Sequence, residues 1–409
     1  MKTNRRVFLG QSSAVALGAL PSLVCRGAFG ADGPQAQLDS KVLVVIQMSG
    51  GNDGINTVVP YADEGYAKHR SELRLPTDRL LKIDDSVALH PSMRGAADLL
   101  EAGKLAIVQG VGYPNPSRSH ATSMAIWHSA EIGDENTLRS HGWLGKAMDS
   151  VQNQAGVNNN NNDPDMILLG DGSQPLAIQS RRCTAVTLSN ITDLRLRARM
   201  RIASEQESTH TPSDSLKEFV QQTMQNATAT ASALEKLIER SHDSGAVYPS
   251  TQLGRRMQTI STLMKSGFQT PVYYAIQDGY DTHAAQLPTH SRLLREFSGA
   301  IKAFLDDLES SGLSEQVCVL GFSEFGRRVA ENSSAGTDHG TAGPVFIAGS
   351  RVQPGLIGSP PSLLDLVDGD LPMGIDFRRV YQQVVQKWLG GPVDINMGQL
   401  PNPLNLFGT

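Results

Sequence analysis

The stretch VLVVIQMSGGNDGINTVVP, residues 42–60, decides the fold class because an apolar run passes directly into a glycine-rich polar turn. Residues 42–48 are mostly apolar, which is the pattern of a strand buried in a sheet. After Gly50 and Gly51 the chain presents Asp53 close to that core. Because a carboxylate near a core is costly unless it is paired or binds a cation, Asp53 is the first candidate for a functional residue.

Five further short apolar runs predict the rest of the sheet, and they lie at residues 105–111, 166–170, 271–276, 316–322 and 344–349. Helical patterns separate most of these runs. The clearest one places apolar residues at steps of three and four, as on one face of an amphipathic helix, at Leu293, Phe297, Ile301, Phe304 and Leu308. Alternating strands and helices predict an α/β fold with a mainly parallel sheet.

The first 30 residues have the features of a twin-arginine export signal. Arg5 and Arg6 precede a mildly apolar stretch at residues 12–24, and the segment contains no acidic residue. Small residues before position 31 predict cleavage after Gly30, with an uncleaved membrane anchor as the alternative. We therefore expect the twin-arginine export machinery as a partner and a periplasmic or extracellular location for the mature chain.

The composition is that of a globular protein, with 409 residues of which 39% are hydrophobic and 19% are charged. Beyond the N-terminus no apolar run approaches the roughly 20 residues that cross a bilayer as a helix, so we expect no transmembrane segment in the mature chain. Removing residues 1–30 leaves 32 basic and 41 acidic residues, a net charge of −9. This acidic balance argues against nucleic acid as a partner.

Two segments interrupt the alternation of strands and helices. Residues 153–165 are polar and rich in asparagine, which indicates a surface loop. Residues 193–266 are polar and strongly helical in pattern, without a strand signal, and we interpret them as a helical insertion or cap. The remainder of residues 31–409 is predicted to form one domain.

Polar side chains follow or border the predicted strands, in five groups. These groups are Asp53; Ser117, Ser119 and His120; Asp281 and His283; Glu324; and Asp338 with His339. Ligands of parallel sheets gather beyond the carboxyl ends of the strands. Asp, Glu and His suit zinc, manganese or magnesium, and two such ions about 3.5–4 Å apart can hold both oxygens of a displacement at phosphorus. The groups therefore predict a divalent metal site.

The segment NPSRSHATSM, residues 115–124, has the features of a nucleophile at the start of a helix. A serine here can cap the following helix, whose N-terminus favours an anion. Both Ser117 and Ser119 are candidates for the nucleophile. Arg118 matches phosphate oxygens and is a candidate clamp for an anionic substrate, with a solvated loop arginine as the alternative.

Five motifs in order carry a resemblance to a known family: VVIQMSGGNDGINTVVPY, GYPNPSRSHATSM, GYDTH, GFSEFGRR and TDHGTAGPVFIAGSRVQPGLIG. Together with the twin-arginine signal, they resemble DUF1501, a family of uncharacterised exported bacterial proteins, over nearly the whole mature chain. This family in turn resembles the alkaline phosphatase and sulfatase superfamily. The resemblance implies a three-layer sandwich with helices on both faces of the sheet, and one or two divalent ions at the strand ends.

The superfamily pattern also implies roles for individual residues, with Ser119 as the nucleophile. The implied metal ligands are Asp53, Asp281, His283, Glu324 and His339, with Asp338 and His120 as further candidates. The chain departs from the pattern at Glu324-Phe325, where the superfamily has an adjacent Asp-His pair, so one nitrogen ligand is missing. The segment NPSRS also does not fit the nucleophile motif of a sulfatase.

Four of the five groups also have a purely structural interpretation. The alternatives are a tight turn around Asp53, a helix cap at Asp281 with a hydrogen-bonded His283, an ion pair of Glu324 with Arg327 or Arg328, and a capped turn at Asp338 and His339.

The sequence thus predicts an exported hydrolase of phosphate esters, with sulfate or phosphonate esters as related substrates. It would use Ser119 and divalent ions (zinc, magnesium, manganese or calcium) on a small-molecule or polymer-linked anionic ester. The alternative is a non-catalytic secreted or cell-envelope binding protein that retains the fold, which Phe325 in place of a histidine would favour.

Overall fold

A computed structural model describes residues 41–155, 163–189, 245–392, 400 and 404–408. The predicted signal segment lies outside the described residues. So do residues 156–162 of the asparagine-rich loop and residues 190–244 of the predicted helical insertion. In the part of the chain that is described, no helix combines the length and apolar character needed to cross a membrane.

A nine-stranded sheet forms the centre of the domain and a three-stranded sheet lies beside it. The strands, in chain order, are β1 (Val42–Ser49), β2 (Val58–Val59), β3 (Leu81–Lys82), β4 (Ala88–Leu89), β5 (Leu105–Gly112), β6 (Met166–Leu169), β7 (Ala185–Leu188), β8 (Val272–Asp278), β9 (Val317–Phe322), β10 (Gly343–Ala348), β11 (Gly355–Ile357) and β12 (Ile375–Asp376). All six apolar runs predicted as strands are confirmed.

The order of the large sheet is β11-β5-β10-β9-β1-β8-β6-β7, and β12 also pairs with β5. β1 lies between β8 and β9 and is parallel to both. β10 is antiparallel to both of its neighbours, β5 and β9. The carboxyl ends of β1, β5, β8 and β9 therefore share one edge of the sheet with the amino end of β10. The segment before β10 reaches the same edge as the segments that follow the parallel strands.

Helices cover both faces of this sheet. Their bounds are α1 (Gly54–Thr57), α2 (Glu64–His69), α3 (Arg94–Glu101), α4 (His120–Ser129), α5 (Trp143–Ala155), α6 (Gln252–Lys265), α7 (Gln286–Ser310) and α8 (Phe377–Gln383), which continues as a π-helix at Val384–Leu389. Short 3₁₀ turns lie at Thr77–Arg79, Leu176–Ile178 and Ser314–Gln316.

Side chains of β1 alternate between two hydrophobic cores, as the period of a strand requires. Val44 and Ile46 pack in the core with α3, α6 and α7. Leu43 and Val45 pack in the core with α4, α5 and α8. The predicted α/β three-layer sandwich, with a mainly parallel sheet and helices on both faces, is confirmed.

Two helices of the structure can be compared with the helical patterns that the sequence predicts. The predicted apolar stripe from Leu293 to Leu308 lies on α7, and all five of its residues are buried. The span interpreted as an insertion or cap includes α6, whose Met257 and Ile260 are buried in the core against the sheet. This part of the span is a helix of the sandwich itself.

The glycine pair after β1 allows neighbouring loops to approach closely. Gly50 and Gly51 have φ angles of +118° and +82°, which L side chains rarely adopt. A methyl group on Gly50 would lie 2.4 Å from the backbone nitrogen of Asp281, and one on Gly51 would lie 2.4 Å from the ring of Phe325. The turn therefore needs glycine both for its backbone conformation and for the space that it leaves.

We expect Gly51→Ala to destabilise the protein more than Gly267→Ala. Gly267 has a similar φ of +88°, but a methyl group there would meet no heavy atom of the described residues within 4 Å. Both substitutions carry backbone strain of about 1–3 kcal/mol, and Gly51→Ala adds an overpacking cost of about 1–3 kcal/mol. Urea unfolding of the two variants measures the difference. Equal losses of stability would show that the ring of Phe325 moves aside and that its contact with residue 51 does not constrain the turn.

Candidate metal centre

Four side chains from three separate loops meet at the shared edge of the sheet. Asp281 and His283 follow β8, His120 is the first residue of α4, and His339 precedes β10. Oδ1 of Asp281 lies 3.0 Å from Nε2 of His283 and 3.1 Å from Nε2 of His339. Oδ2 of Asp281 lies 3.5 Å from Nε2 of His120. The structure thus places three imidazole nitrogens around one carboxylate.

In each of these imidazoles the other nitrogen, Nδ1, lies next to an oxygen. The pairs are His120 with Oε1 of Glu324 at 2.9 Å, His283 with Oδ1 of Asp338 at 3.1 Å, and His339 with the carbonyl oxygen of Arg118 at 2.8 Å. Because carbonyl and carboxylate oxygens accept hydrogen bonds, we assign the ring hydrogen of each neutral histidine to Nδ1. Each Nε2 is then an acceptor that faces Asp281.

A cluster of acceptors is unfavourable without a cation or a shared proton. Nε2 of His283 and Nε2 of His339 lie 2.9 Å apart, and two lone pairs at that distance repel each other. Nε2 of His120 is buried and makes no hydrogen bond to any described residue. The cluster therefore has the electrostatic character of a site that takes up a positive charge.

The geometry fits a metal ion. The ligand atoms of His120, Asp281 and His339 all lie within 4.8 Å of one another. Nitrogen and oxygen ligands bind zinc at about 2.0–2.2 Å, which puts neighbouring ligand atoms of a tetrahedral site about 3.3–3.6 Å apart. Metal-binding histidines also commonly donate their second ring nitrogen to a carboxylate or a carbonyl, as these rings do.

Asp281 is ionised at neutral pH. Partial burial alone would raise the pKa of its carboxyl, but the hydrogen bond from Arg327 is the largest of several effects that outweigh burial, and the pKa falls to about 2. The carboxylate can therefore bind a cation without first losing a proton.

The guanidinium of Arg327 is buried beneath the cluster and joins its loops. Nη2 donates to Oδ1 of Asp281 at 2.7 Å and to the carbonyl oxygen of Tyr280 at 2.9 Å. Nε donates to the carbonyl oxygen of Gly51 at 2.7 Å, and Nη1 to that of Thr337 at 2.8 Å. One side chain thereby fixes the segments that follow β1 and β8 and the segment before β10.

Phe325 forms an apolar wall of the cluster. Its ring centroid lies 5.0 Å from that of His120 and 4.8 Å from that of His339. The sequence lacks a histidine at this position, and the structure brings another imidazole to the cluster from a different element, His120 of α4. The candidate ligand group therefore contains an imidazole, His120, that the resemblance implies only as a further candidate.

Residues 40–390 match the family described as "Protein of unknown function (DUF1501)". The chain belongs to the DUF1501 family. No curated protein matches it.

Solved structures similar to this DUF1501 protein share little sequence with it. The C-terminal periplasmic domain of EptC from Escherichia coli in complex with Zn aligns with a TM-score of 0.37 and 8% identity, over 76% of this chain and 74% of that one. A protein in the alkaline phosphatase superfamily from Vibrio parahaemolyticus aligns with a TM-score of 0.35 and 9% identity, over 83% and 70%. A sulfatase from a Pseudoalteromonas species aligns with a TM-score of 0.37 and 10% identity, over 87% and 69%.

Asp53 of this DUF1501 protein lies apart from the histidine cluster. It is fully buried, and Arg70 donates to its Oδ2 at 2.7 Å and to its Oδ1 at 3.0 Å. Gln286 donates to Oδ2 at 2.5 Å. Where the sequence predicts a metal ion beside Asp53, the structure has the guanidinium of Arg70, so both carboxylate oxygens already have cationic or amide partners.

Glu324 and Asp338 contact histidines of the cluster and lie outside the metal-ligand group. Glu324 is buried, and its Oε1 accepts from Nδ1 of His120 and, at 2.9 Å, from the backbone N–H of Gly50. Asp338 is exposed and accepts from His283. Glu324 does not form the ion pair weighed as an alternative, because Arg327 pairs with Asp281 and Arg328 pairs with Asp370. In this structure both predicted ligands contact the Nδ1 atoms of imidazoles.

Ser119 is the N-cap of α4 and is exposed directly before His120. Its Oγ accepts from the backbone N–H of Thr122 at 3.5 Å, a long bond that leaves the hydroxyl available. Ser117 lies farther back and its Oγ accepts from the backbone N–H of Ser119 at 3.1 Å. Of the two serines, Ser119 is the one that adjoins the cluster in the chain.

Arg118 is engaged in an ion pair in this structure. Its Nε donates to Oδ2 of the buried Asp370 at 2.9 Å, and Nη2 contacts the same oxygen. Its side chain is still 43% exposed. The predicted clamp would have to leave Asp370, or use its exposed face, to contact a substrate.

Sequence reasoning missed the roles of Arg70 and Arg327. Arg327 lies within the motif GFSEFGRR, so the sequence indicated that it is near the site. The sequence did not indicate that its partner is Asp281. Arg70 lies 17 residues after Asp53 in a segment without a motif. No local signal in the sequence indicates that the carboxylates of Asp53 and Asp281 already have guanidinium partners.

We expect Arg70→Met to cost about 3–5 kcal/mol of unfolding free energy, because it leaves the buried carboxylate of Asp53 without its charge partner. The matched control is Arg94→Met, since Arg94 pairs with Asp98 and Glu101 on the surface and its side chain is 54% exposed. Such exposed pairs contribute little to stability because solvent screens them. Urea unfolding at neutral pH compares the two variants, and a loss at position 70 no larger than the control would contradict this account of the pair.

The same pair predicts a dependence of stability on acid pH. Burial alone would raise the pKa of Asp53, but the charge and hydrogen bonds of Arg70 lower it from 3.8 to about 2. The stabilisation is therefore complete above the unfolded value and is lost as the pH falls towards the folded value. We expect the difference in unfolding free energy between wild type and Asp53→Asn to shrink between pH 4 and pH 2 (about the span of the two pKa values). A difference that stays constant over this interval would show that Asp53 does not titrate as described.

Proposed function

We propose that this DUF1501 protein is an exported, metal-dependent hydrolase of phosphate esters, with sulfate and phosphonate esters as related substrates. The observation that carries the proposal is the arrangement of three Nε2 atoms around the ionised Asp281, with each Nδ1 held by an oxygen acceptor. We assign His120, Asp281 and His339 to hold a divalent ion. Glu324 orients the first of these histidines.

The donor set favours zinc over magnesium or calcium. Imidazole nitrogens suit zinc and other late transition metals, whereas magnesium and calcium prefer oxygen ligands. When bound, the ion would supply Lewis-acid stabilisation of charge on the phosphoryl oxygens. The residues of this chain hold the ion, orient the histidines that bind it and provide the nucleophile.

The reaction would proceed through Ser119. Its Oγ attacks phosphorus, the bond from phosphorus to the ester oxygen breaks, and the leaving alcohol takes up the serine proton. Water then attacks the phosphoserine, which releases inorganic phosphate and restores the hydroxyl. The N-terminus of α4, a helix of 10 residues, favours the negative charge that the phosphoryl group carries at Ser119.

The surroundings of the cluster support a bulky or polymer-linked anionic ester as the substrate. The side chains of His283 and Asp281 are 43% and 48% exposed, so the site opens to solvent. A large leaving group can then extend away from the protein while the phosphoryl group contacts the cluster.

The proposal includes export. The segment at residues 1–30 would direct the chain through the twin-arginine route, and the mature protein would act in the periplasm or outside the cell. This route is associated with cargo that folds before export, which would allow the metal ion to be loaded in the cytoplasm.

We expect Ser119→Ala to lower kcat/KM for p-nitrophenyl phosphate by about 10³-fold or more, because the nucleophile is lost. Ser117→Ala is the matched control and should stay within about tenfold of wild type, because its hydroxyl only supports the loop. Release of p-nitrophenolate measures turnover, and elemental analysis verifies that both variants keep the metal content of wild type.

Two outcomes would contradict the proposed function. Full activity of Ser119→Ala would exclude this serine as the nucleophile. A wild-type protein that binds metal but turns over none of a panel of phosphate monoesters, phosphate diesters, phosphonate esters and sulfate esters would favour the non-catalytic binding protein instead.

A further inference from the structure

We propose that the centre takes a single exchangeable metal ion, and that the guanidinium of Arg327 is a built-in second cation on the other side of Asp281. The inference rests on the metal centre of the proposed function and adds its stoichiometry. It also divides the three histidines into two that bind the ion together with Asp281, His120 and His339, and one that faces the guanidinium, His283.

The two oxygens of Asp281 face different surroundings. Oδ1 accepts from Nη2 of Arg327 at 2.7 Å, and His283 and His339 approach the same oxygen at 3.0 and 3.1 Å. Oδ2 faces Nε2 of His120 at 3.5 Å. Oδ1 therefore already has a cation beside it, the guanidinium of Arg327. Oδ2 instead faces Nε2 of His120, which has no hydrogen-bond partner among the described residues.

Arg327 cannot easily give way to a metal ion. Its side chain is fully buried, with 0% exposure, and its hydrogen bonds to three loop segments hold the planar group in place. An ion at Oδ1 of Asp281 would have to displace this group or lie in contact with its positive charge. Like charges in a partly buried site repel strongly, so a second ion is excluded there.

His283 lies on the side of the guanidinium. Its Nε2 is 3.5 Å from Nη1 of Arg327, and its Nδ1 is held by Asp338. His120 lies in the ligand group with Asp281 and His339. The geometry therefore assigns His120 as a metal ligand and His283 as a residue that positions the carboxylate and the guanidinium.

Zinc titration of the metal-free mature chain by isothermal calorimetry tests this inference, with elemental analysis of the loaded protein. The expected wild-type stoichiometry is one ion per chain. His120→Ala should weaken zinc binding by more than the roughly 10- to 100-fold that loss of an orienting partner costs, because a ligand is lost. His283→Ala, the matched imidazole control, should keep one ion and stay within about 100-fold of wild type. Circular dichroism verifies that both variants are folded.

Two ions per wild-type chain would overturn the inference, as would a His283→Ala variant that loses zinc as completely as His120→Ala. Ester turnover measured on the same samples separates this inference from the proposed function. Turnover with two ions bound would refute only the single-ion inference. One ion bound through His120 without any turnover would refute only the hydrolase. Absence of zinc binding in the wild-type chain would refute both.

Discussion

The buried guanidinium of Arg327 is the interaction on which the arrangement of the sheet edge depends. Its hydrogen bonds reach the carbonyl oxygens of Gly51, Tyr280 and Thr337 and the carboxylate of Asp281. A buried cation is tolerated only when its donors are satisfied, so each of these loops must stay within hydrogen-bond distance of the same planar group. The position of Asp281, and hence of the histidines around it, follows from this constraint.

A second buried arginine, Arg70, neutralises the carboxylate of Asp53 after β1 in the same way. Asp53 and Arg70 are both fully buried and form a bidentate pair, whereas Asp281 is paired to Arg327 on one side and open to solvent on the other. Both carboxylates thus have a cation that belongs to the chain. Asp281 in addition lies within 3.5 Å of the Nε2 atoms of three histidines, so the candidate metal centre lies at Asp281 and not at Asp53.

The direction of β10 brings the last histidine to the site. Because β10 is antiparallel to β5 and β9, the segment before it lies at the edge where the parallel strands end. His339 reaches the cluster from that segment, and His120 reaches it from the start of α4. Three segments from distant parts of the chain thereby supply one compact group of candidate ligands, and Gly50 and Gly51 leave the space that this convergence needs.

The sequence by itself determined the six main strands, the apolar face of α7 and the presence of polar groups at strand ends. These features are local, since the periods of strands and helices and the break from apolar run to polar turn can be read within a few residues. The expectation that Asp281 and His283 lie at the shared edge also follows from strand ends alone, whereas His339 reaches that edge only because β10 is antiparallel. The family is likewise visible in short ordered motifs.

Only the tertiary structure decided which cation each carboxylate meets. Arg327 lies 46 residues from Asp281 and Arg70 lies 17 residues from Asp53, and no pattern between them specifies a contact. The same holds for Glu324, a predicted metal ligand, whose carboxylate contacts Nδ1 of His120 across 204 residues. Partners of buried charges depend on the paths of several loops at once, because electrostatic and hydrogen-bond energies are decided by distances of a few ångströms that no single segment controls.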